Sequence, residues 1–204
     1  MFLTKNFGGK DNVTSTIVKF LLAKQTKHEI VMTGPINFSW FNDNITRLMT
    51  YKQCVQYSVF AAELALPIFE IQFINDKRPR LAIKVAIKCI EDPSAKNKKT
   101  ASGSAYWPIS IYAAYAEDAA VAAALAAVNA ARFAADAASS TDDYSHINCA
   151  SLSASYSVSA DTANTNTVNT YYATSDSASL NKLFVYEMNK KKIMEYGLKL
   201  LQGL

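Results

Sequence analysis

The sequence predicts an all-α fold: a single helical domain, packed as a bundle or as stacked helical hairpins with a close-packed alanine-rich section. Three observations carry this. Alanine supplies 18 of the 40 residues from Ala101 to Ser140, and alanine is the residue that costs a helix least. Apolar residues recur at spacings of three and four through Leu48, Tyr51, Val55, Val59 and Ala62, the period of one helical face. The segment 177–201 is also helical in pattern, with Leu180, Phe184, Ile193, Gly197, Leu200 and Leu201 as its buried candidates.

Taken in order, Ser15 to Lys27 reads as a first helix, and Thr33-Gly34-Pro35 marks a turn. A stronger helix is expected to start at Asn42-Asp43, either of which can cap the first turn, and to end or kink near Ala65-Leu66 because Pro67 lacks an amide. Asn75 to Arg80 is a loop entering the next helix. There Asp76 can accept amide hydrogen bonds, and Pro79 suits a first turn, where its missing donor has no partner to lose. Leu81, Val85 and Lys88 form one stripe of that helix, with Ala82, Ala86 and Cys89 beside it, and Asp92-Pro93 closes it. Ser94 to Ser104 is expected as a polar, lysine-bearing connection. The alanine-rich helix then runs from Tyr106-Trp107-Pro108 to about Ala138, and Ser139 to Asp143 breaks it.

Residues 144–180 carry two signals. Ser151 to Ser159 alternates with period two, as a half-buried strand does, whereas Cys149, Leu152, Tyr156, Ala160 and Ala163 mark a helical stripe. The local pattern leaves strand and helix open. Gly203 suits the exit of the last helix.

The chain of 204 residues can bury one sizeable core. Its cysteines, Cys54, Cys89 and Cys149, are an odd number at wide spacing, which fits reduced thiols in a cytosol. Met1 to Lys10 lacks the apolar core of a secretory leader. The uncharged run within Ala119 to Ala131 is short for a membrane span. The net charge of +4 hides a polarised chain: residues 1–100 balance at +7, 101–181 at −6 and the tail from 182 at +3. Segments of opposite sign can pack together or present separate faces to partners.

The run from Cys54 to Glu70, followed by Asn75-Asp76-Lys77-Arg78-Pro79-Arg80-Leu81-Ala82-Ile83 and a long alanine tract, resembles an alanine-rich immunity-protein family of bacterial polymorphic toxin systems that has phage-encoded relatives. Ile193 to Leu201 is similar to the C-terminus of phage-borne members. The resemblance covers about residues 45–138 and the C-terminal helix, leaving 1–44 as an N-terminal region and 139–204 as a Ser/Thr/Asn-rich section with that helix. It departs from the family pattern between Ser151 and Ser179, where Ser, Thr and Asn replace alanine. It implies helix for 144–180, packed on the alanine tract, and a protein that binds and neutralises, with no catalytic residue to carry over.

Arg78 and Arg80, flanking Pro79, offer two planar guanidinium groups suited to carboxylate or phosphate, and Lys84 follows one turn beyond Arg80. They are candidate ligand-binding residues together with Tyr106 and Trp107, which can stack on a flat ligand. The alternative is architectural: Asp76 caps the helix while the arginines bridge to acids such as Glu70 or Glu63. Tyr112 and Tyr115, like Tyr171 and Tyr172, serve either a ligand or the gaps left by alanine. Trp107, Asp142 and Asp143 are the candidate partner-binding residues. Glu63 and Glu70 share a helical face but lack the supporting groups of an acid–base pair.

The only histidines are His28 and His146, and the cysteines lack metal-ligand spacing. No Gly-x-Ser-x-Gly elbow occurs, and Gly8-Gly9-Lys10-Asp11 is not a phosphate-binding loop. The reading is therefore of a cytoplasmic, non-enzymatic protein without cofactor or metal. No nucleic acid or membrane is called for, and self-association is left open. The expected partner is a protein toxin or defence effector. The alternatives are a phage-type sponge for an anionic nucleotide signal and a purely structural helical protein.

Overall fold

The computed structural model describes residues 38–105, 119–171 and 176–203, and among these it is all-α, seven helices packed in a bundle with no strand. The helices are α1 (Phe38–Thr46), α2 (Tyr51–Gln72), α3 (Arg78–Glu91), α4 (Ala95–Ala105), α5 (Ala119–Ser139), α6 (Asp143–Tyr171) and α7 (Asp176–Gln202). The expected helix at Ser15–Lys27, the turn at Thr33–Pro35 and the aromatic residues Tyr106, Trp107, Tyr112, Tyr115 and Tyr172 lie outside the described residues, and Tyr171 ends α6 with its side chain outside the described ones.

The helix expected from Asn42-Asp43 is two helices. Thr50 is extended (φ −72°, ψ 165°), its hydroxyl accepts from the Gln53 amide, and the Gln53 side chain accepts from the Thr50 amide at 2.9 Å. This reciprocal capping box restarts the helix at Tyr51. Asn42 lies inside α1, fully buried, and caps nothing: its Nδ2 donates to the Ser151 carbonyl at 2.8 Å while its Oδ1 accepts from the Tyr57 hydroxyl at 3.1 Å. The side chain that would cap in an isolated peptide instead joins α1, α2 and α6.

Pro67 does not end α2, since the helix runs on to Gln72. The lost amide costs one backbone bond on a solvent-facing side, and Leu66 and Phe69, both buried, hold the next turn against the core. α3 buries Ala82, Ile83, Ala86 and Cys89, whereas Leu81 is 53% exposed, so the small-residue stripe faces inward. The expected connection at Ser94–Ser104 is the helix α4. Asp92 Oδ1 accepts from the Ser94 amide, Asn97 Nδ2 donates to the Asp92 carbonyl, and Ala101 and Ala105 are buried beneath the lysines. A well-capped start and two alanines on one face suffice once a core is available to receive them.

α5 is the hub, packed by α2, α3, α4 and α6. Ala123, Ala124, Ala127, Val128, Ala130, Ala131, Ala134, Ala135, Ala137 and Ala138 are buried, which takes in most of its circumference. Small side chains let neighbouring axes approach closely, because interaxial distance follows the side chains at the contact. The most extensive helix pairing is α5 with α6, so the segment 144–171 is helical and packs on the alanine tract, as the resemblance implies. Of the expected stripe Ala160 is buried and Cys149, Leu152 and Tyr156 are half-buried, while the Ala163 side chain lies outside the described ones; the rest of the buried face is offset from that stripe. It is formed by Ala150, Ser153, Ala154, Ser157 and Val158. The Ser153 hydroxyl sits between two backbone carbonyls, that of Ser58 at 2.9 Å and that of Ala130 at 2.8 Å, and so ties α6 to both α2 and α5.

A second cluster joins α1, α2, α6 and α7 through Phe41, Ile45, Tyr57 and Ile193, with Phe60 stacked on Tyr196 at 4.2 Å between centroids. Gly197 permits this contact: a Cβ there would lie 2.9 Å from Ile45 Cδ1 and 3.0 Å from Tyr57 Cε2. Leu200 is buried as expected, Leu201 is only half-buried, and Leu180 and Phe184 lie outside the described side chains. Gly203 exits with φ +74°. Two helices, Tyr51–Gln72 and Val121–Ser139, are long and apolar enough to cross a membrane by length and composition, and 56% of each apolar window is buried in the bundle.

Candidate functional site

The Asp76-Lys77-Arg78-Pro79-Arg80 element forms the corner between α2 and α3. Asp76 Oδ1 accepts from the Arg78 amide at 3.0 Å and from Arg78 Nε at 2.9 Å, and Asp76 Oδ2 accepts from Arg78 Nη2. One carboxylate thus caps the helix and holds the guanidinium two residues on. Pro79, buried in the first turn, fixes the backbone between the two arginines. Arg80 reaches across to α2, where Nε donates to Glu70 Oε1 at 2.6 Å and Nη2 donates to Glu70 Oε2. Hydrogen bonding from Arg80 is the main reason the Glu70 carboxyl is held below its ordinary range, reinforced by the charges of Arg80 and Lys77.

Both arginines are therefore engaged, Arg80 with one of the acids expected for it and Arg78 with Asp76 of its own turn. Beside the corner lies a groove of about 310 Å³ lined by Glu63, Leu66, Pro67, Arg80, Ile83, Lys84 and Ile87. Pro67 cannot donate to the carbonyl of Glu63, four residues back, so that carbonyl lacks its helical donor at the groove. Arg80 and Lys84 are brought together there, and Arg78 is not among the lining residues. The walls are aliphatic, with no aromatic ring among the described lining residues to stack on a base.

Asp142 and Asp143 stand at the α5–α6 turn, both exposed. Asp142 Oδ1 accepts from the Ser145 amide at 2.8 Å, capping α6, and Ser145 holds its carboxyl low. Next to them Tyr144 is 78% exposed, a residue the sequence reading passed over because nothing in its spacing separates it from the core-filling tyrosines.

Behind this turn lies a cluster the sequence reading also missed. The Tyr51 hydroxyl donates to the Ala138 carbonyl at 2.6 Å, Lys98 Nζ donates to the Ser140 carbonyl at 2.9 Å and lies 4.4 Å from the Tyr51 ring centroid, and His146 meets that ring edge-on at 5.6 Å. Burial pushes the Tyr51 phenol up to about 12 and holds His146 below its ordinary value. The three cysteines are free thiols, with burial pushing Cys149 up to about 11. Among the described residues no three His, Cys, Asp or Glu side chains converge as metal ligands. The chain matches no family model, no curated protein and no solved structure.

Proposed function

We propose that this protein binds and neutralises an antagonistic protein effector, as a toxin-immunity or phage counter-defence protein, without chemistry of its own. The observation that carries the reading is the α5–α6 turn: an exposed tyrosine beside two exposed carboxylates, set at the end of the most extensively packed helix pair. A tyrosine supplies large contact area at low entropic cost, and flanking charges steer association. The charge polarity of the chain and its resemblance to the immunity family support the same conclusion. The effector, the cytoplasmic location and any phage origin belong to this proposal.

A nucleotide sponge is the second reading, favoured by one observation, the groove that places Arg80 beside Lys84. Against it, Glu70 already engages two of the five guanidinium donors of Arg80 and offsets its charge. The test is affinity capture with the wild type and with Tyr144→Ala and Asp142→Lys variants in parallel. The expected result is one protein retained by the wild type and lost from both folded variants. Equal retention by all three would remove the turn as the interface.

A further inference from the structure

His146 is 5% exposed and sits where four helix ends meet: the starts of α2, α4 and α6 and the last turn of α5. Among the described residues, the α5–α6 turn is anchored there from outside itself by two side chains, Tyr51 on the Ala138 carbonyl and Lys98 on the Ser140 carbonyl. The imidazole packs edge-on against the ring of the first anchor, and the second anchor lies over that same ring. Among the described residues, the charged and titratable groups around it come from four helices besides its own. α2 presents Tyr51, α4 presents Lys98, and Cys89 of α3 lies close enough to Tyr51 and Lys98 to interact with both. Its own helix start contributes Asp142 and Asp143, while the Arg132–Asp136 pair of α5 lies toward Cys149, three residues further along α6.

A proton on this ring has a poor environment. It adds a second cation beside Lys98, at the N-terminal end of a helix where the backbone dipole already disfavours positive charge. The compensating carboxylates are exposed and screened by solvent. The form of the protein that accepts the proton readily is one in which the ring has left the cluster, and with it the packing that holds Tyr51 against the turn.

We infer that His146 is a proton-sensitive latch: its protonation releases the α5–α6 turn from Tyr51 and Lys98 while the two hydrophobic clusters stay folded. This goes beyond the binding reading and does not depend on it, since the turn opens or stays shut in the isolated protein.

The test is amide hydrogen exchange of the full chain, read as protection factors at pH 7.5 and 5.5, together with the NMR titration of the His146 Hε1 proton. The expected result is a wild-type protection loss confined to residues 145–149, of up to about tenfold per pH unit, with amides around Tyr57 unchanged and a His146 midpoint below about 6.5. His146→Phe, which keeps an edge-on ring without a titrating nitrogen, should hold its protection at both pH values, and His146→Gln serves if the phenylalanine does not fold. Protection that is flat with pH in the wild type, an equal loss in the variants, or a midpoint at or above about 6.5 overturns the inference. If neither variant folds, the wild-type titration and protection decide it alone.

Discussion

At the scale of single residues, two glycines with the same side chain have opposite consequences. Gly103 lies in α4 with nothing within 4 Å of a prospective Cβ. Gly103→Ala is expected to raise stability by about 0.5–1 kcal/mol, since it lowers backbone entropy in the unfolded chain and fills no space. Gly197→Ala gains the same propensity but drives a methyl into Ile45 and the fully buried Tyr57 ring, so a net loss of about 1–2 kcal/mol is expected, from an overpacking cost of about 1–3 kcal/mol. Denaturant unfolding of both variants checks the pair, and equal effects would contradict the close approach of α7. The corner residues separate similarly. Asp76→Ala removes a cap and an ion pair together and should cost about 1–2 kcal/mol, whereas Arg80→Ala breaks a solvent-exposed pair worth no more than about 1 kcal/mol.

At the scale of elements, the helices most legible in the sequence are those with a conventional boundary. Asp92-Pro93 closes α3, Ser140 to Asp142, within the expected break at Ser139 to Asp143, separates α5 from α6, and Asp76 and Pro79 start α3 as their chemistry requires. α6 was hidden because its inward face is alanine and serine while its larger residues, Leu152 and Tyr156, lie at the margins. A hydrophobic period cannot announce a face whose burial depends on small volume. The serines alternate in sequence yet divide among different partners: Ser151 and Ser155 accept from Asn42, and Ser153 turns to α2 and α5. The break before α2 was legible in Thr50-x-x-Gln53 and was outvoted by an apolar stripe that runs through it. The candidate site was half visible. Asp142 and Asp143 stand at the surface as expected, but Tyr144 and the Tyr51–Lys98–His146 cluster depend on long-range packing that no spacing encodes. Because α5 is enclosed by close-set neighbours, Ala131→Leu should destabilise by about 1–3 kcal/mol or more, against a helix propensity that hardly changes. A melting temperature at or above that of the wild type would show that the hub is loosely packed.

At the scale of the whole molecule, stability should respond to acid through His146. Burial holds the folded imidazole below its ordinary value of about 6.5, so the unfolded chain takes up the proton first. Its contribution is complete above about pH 6.5 and falls as the pH drops toward the folded value. Chemical denaturation between pH 7.5 and 5 should therefore show declining stability in the wild type and a flatter profile in His146→Phe. The proposed function rests on a division of labour: the basic α2–α3 corner is proposed as architecture, and the acidic, tyrosine-bearing α5–α6 turn is the surface proposed for a protein partner. Titration calorimetry of the wild type and the Arg78→Ala and Arg80→Ala variants against mono-, di- and cyclic nucleotides tests that division most directly. The account predicts no saturable heat for the wild type and, for Arg80→Ala, a melting temperature lowered by no more than about 4 °C. Nanomolar binding by the wild type, abolished in variants that remain stably folded, would contradict it.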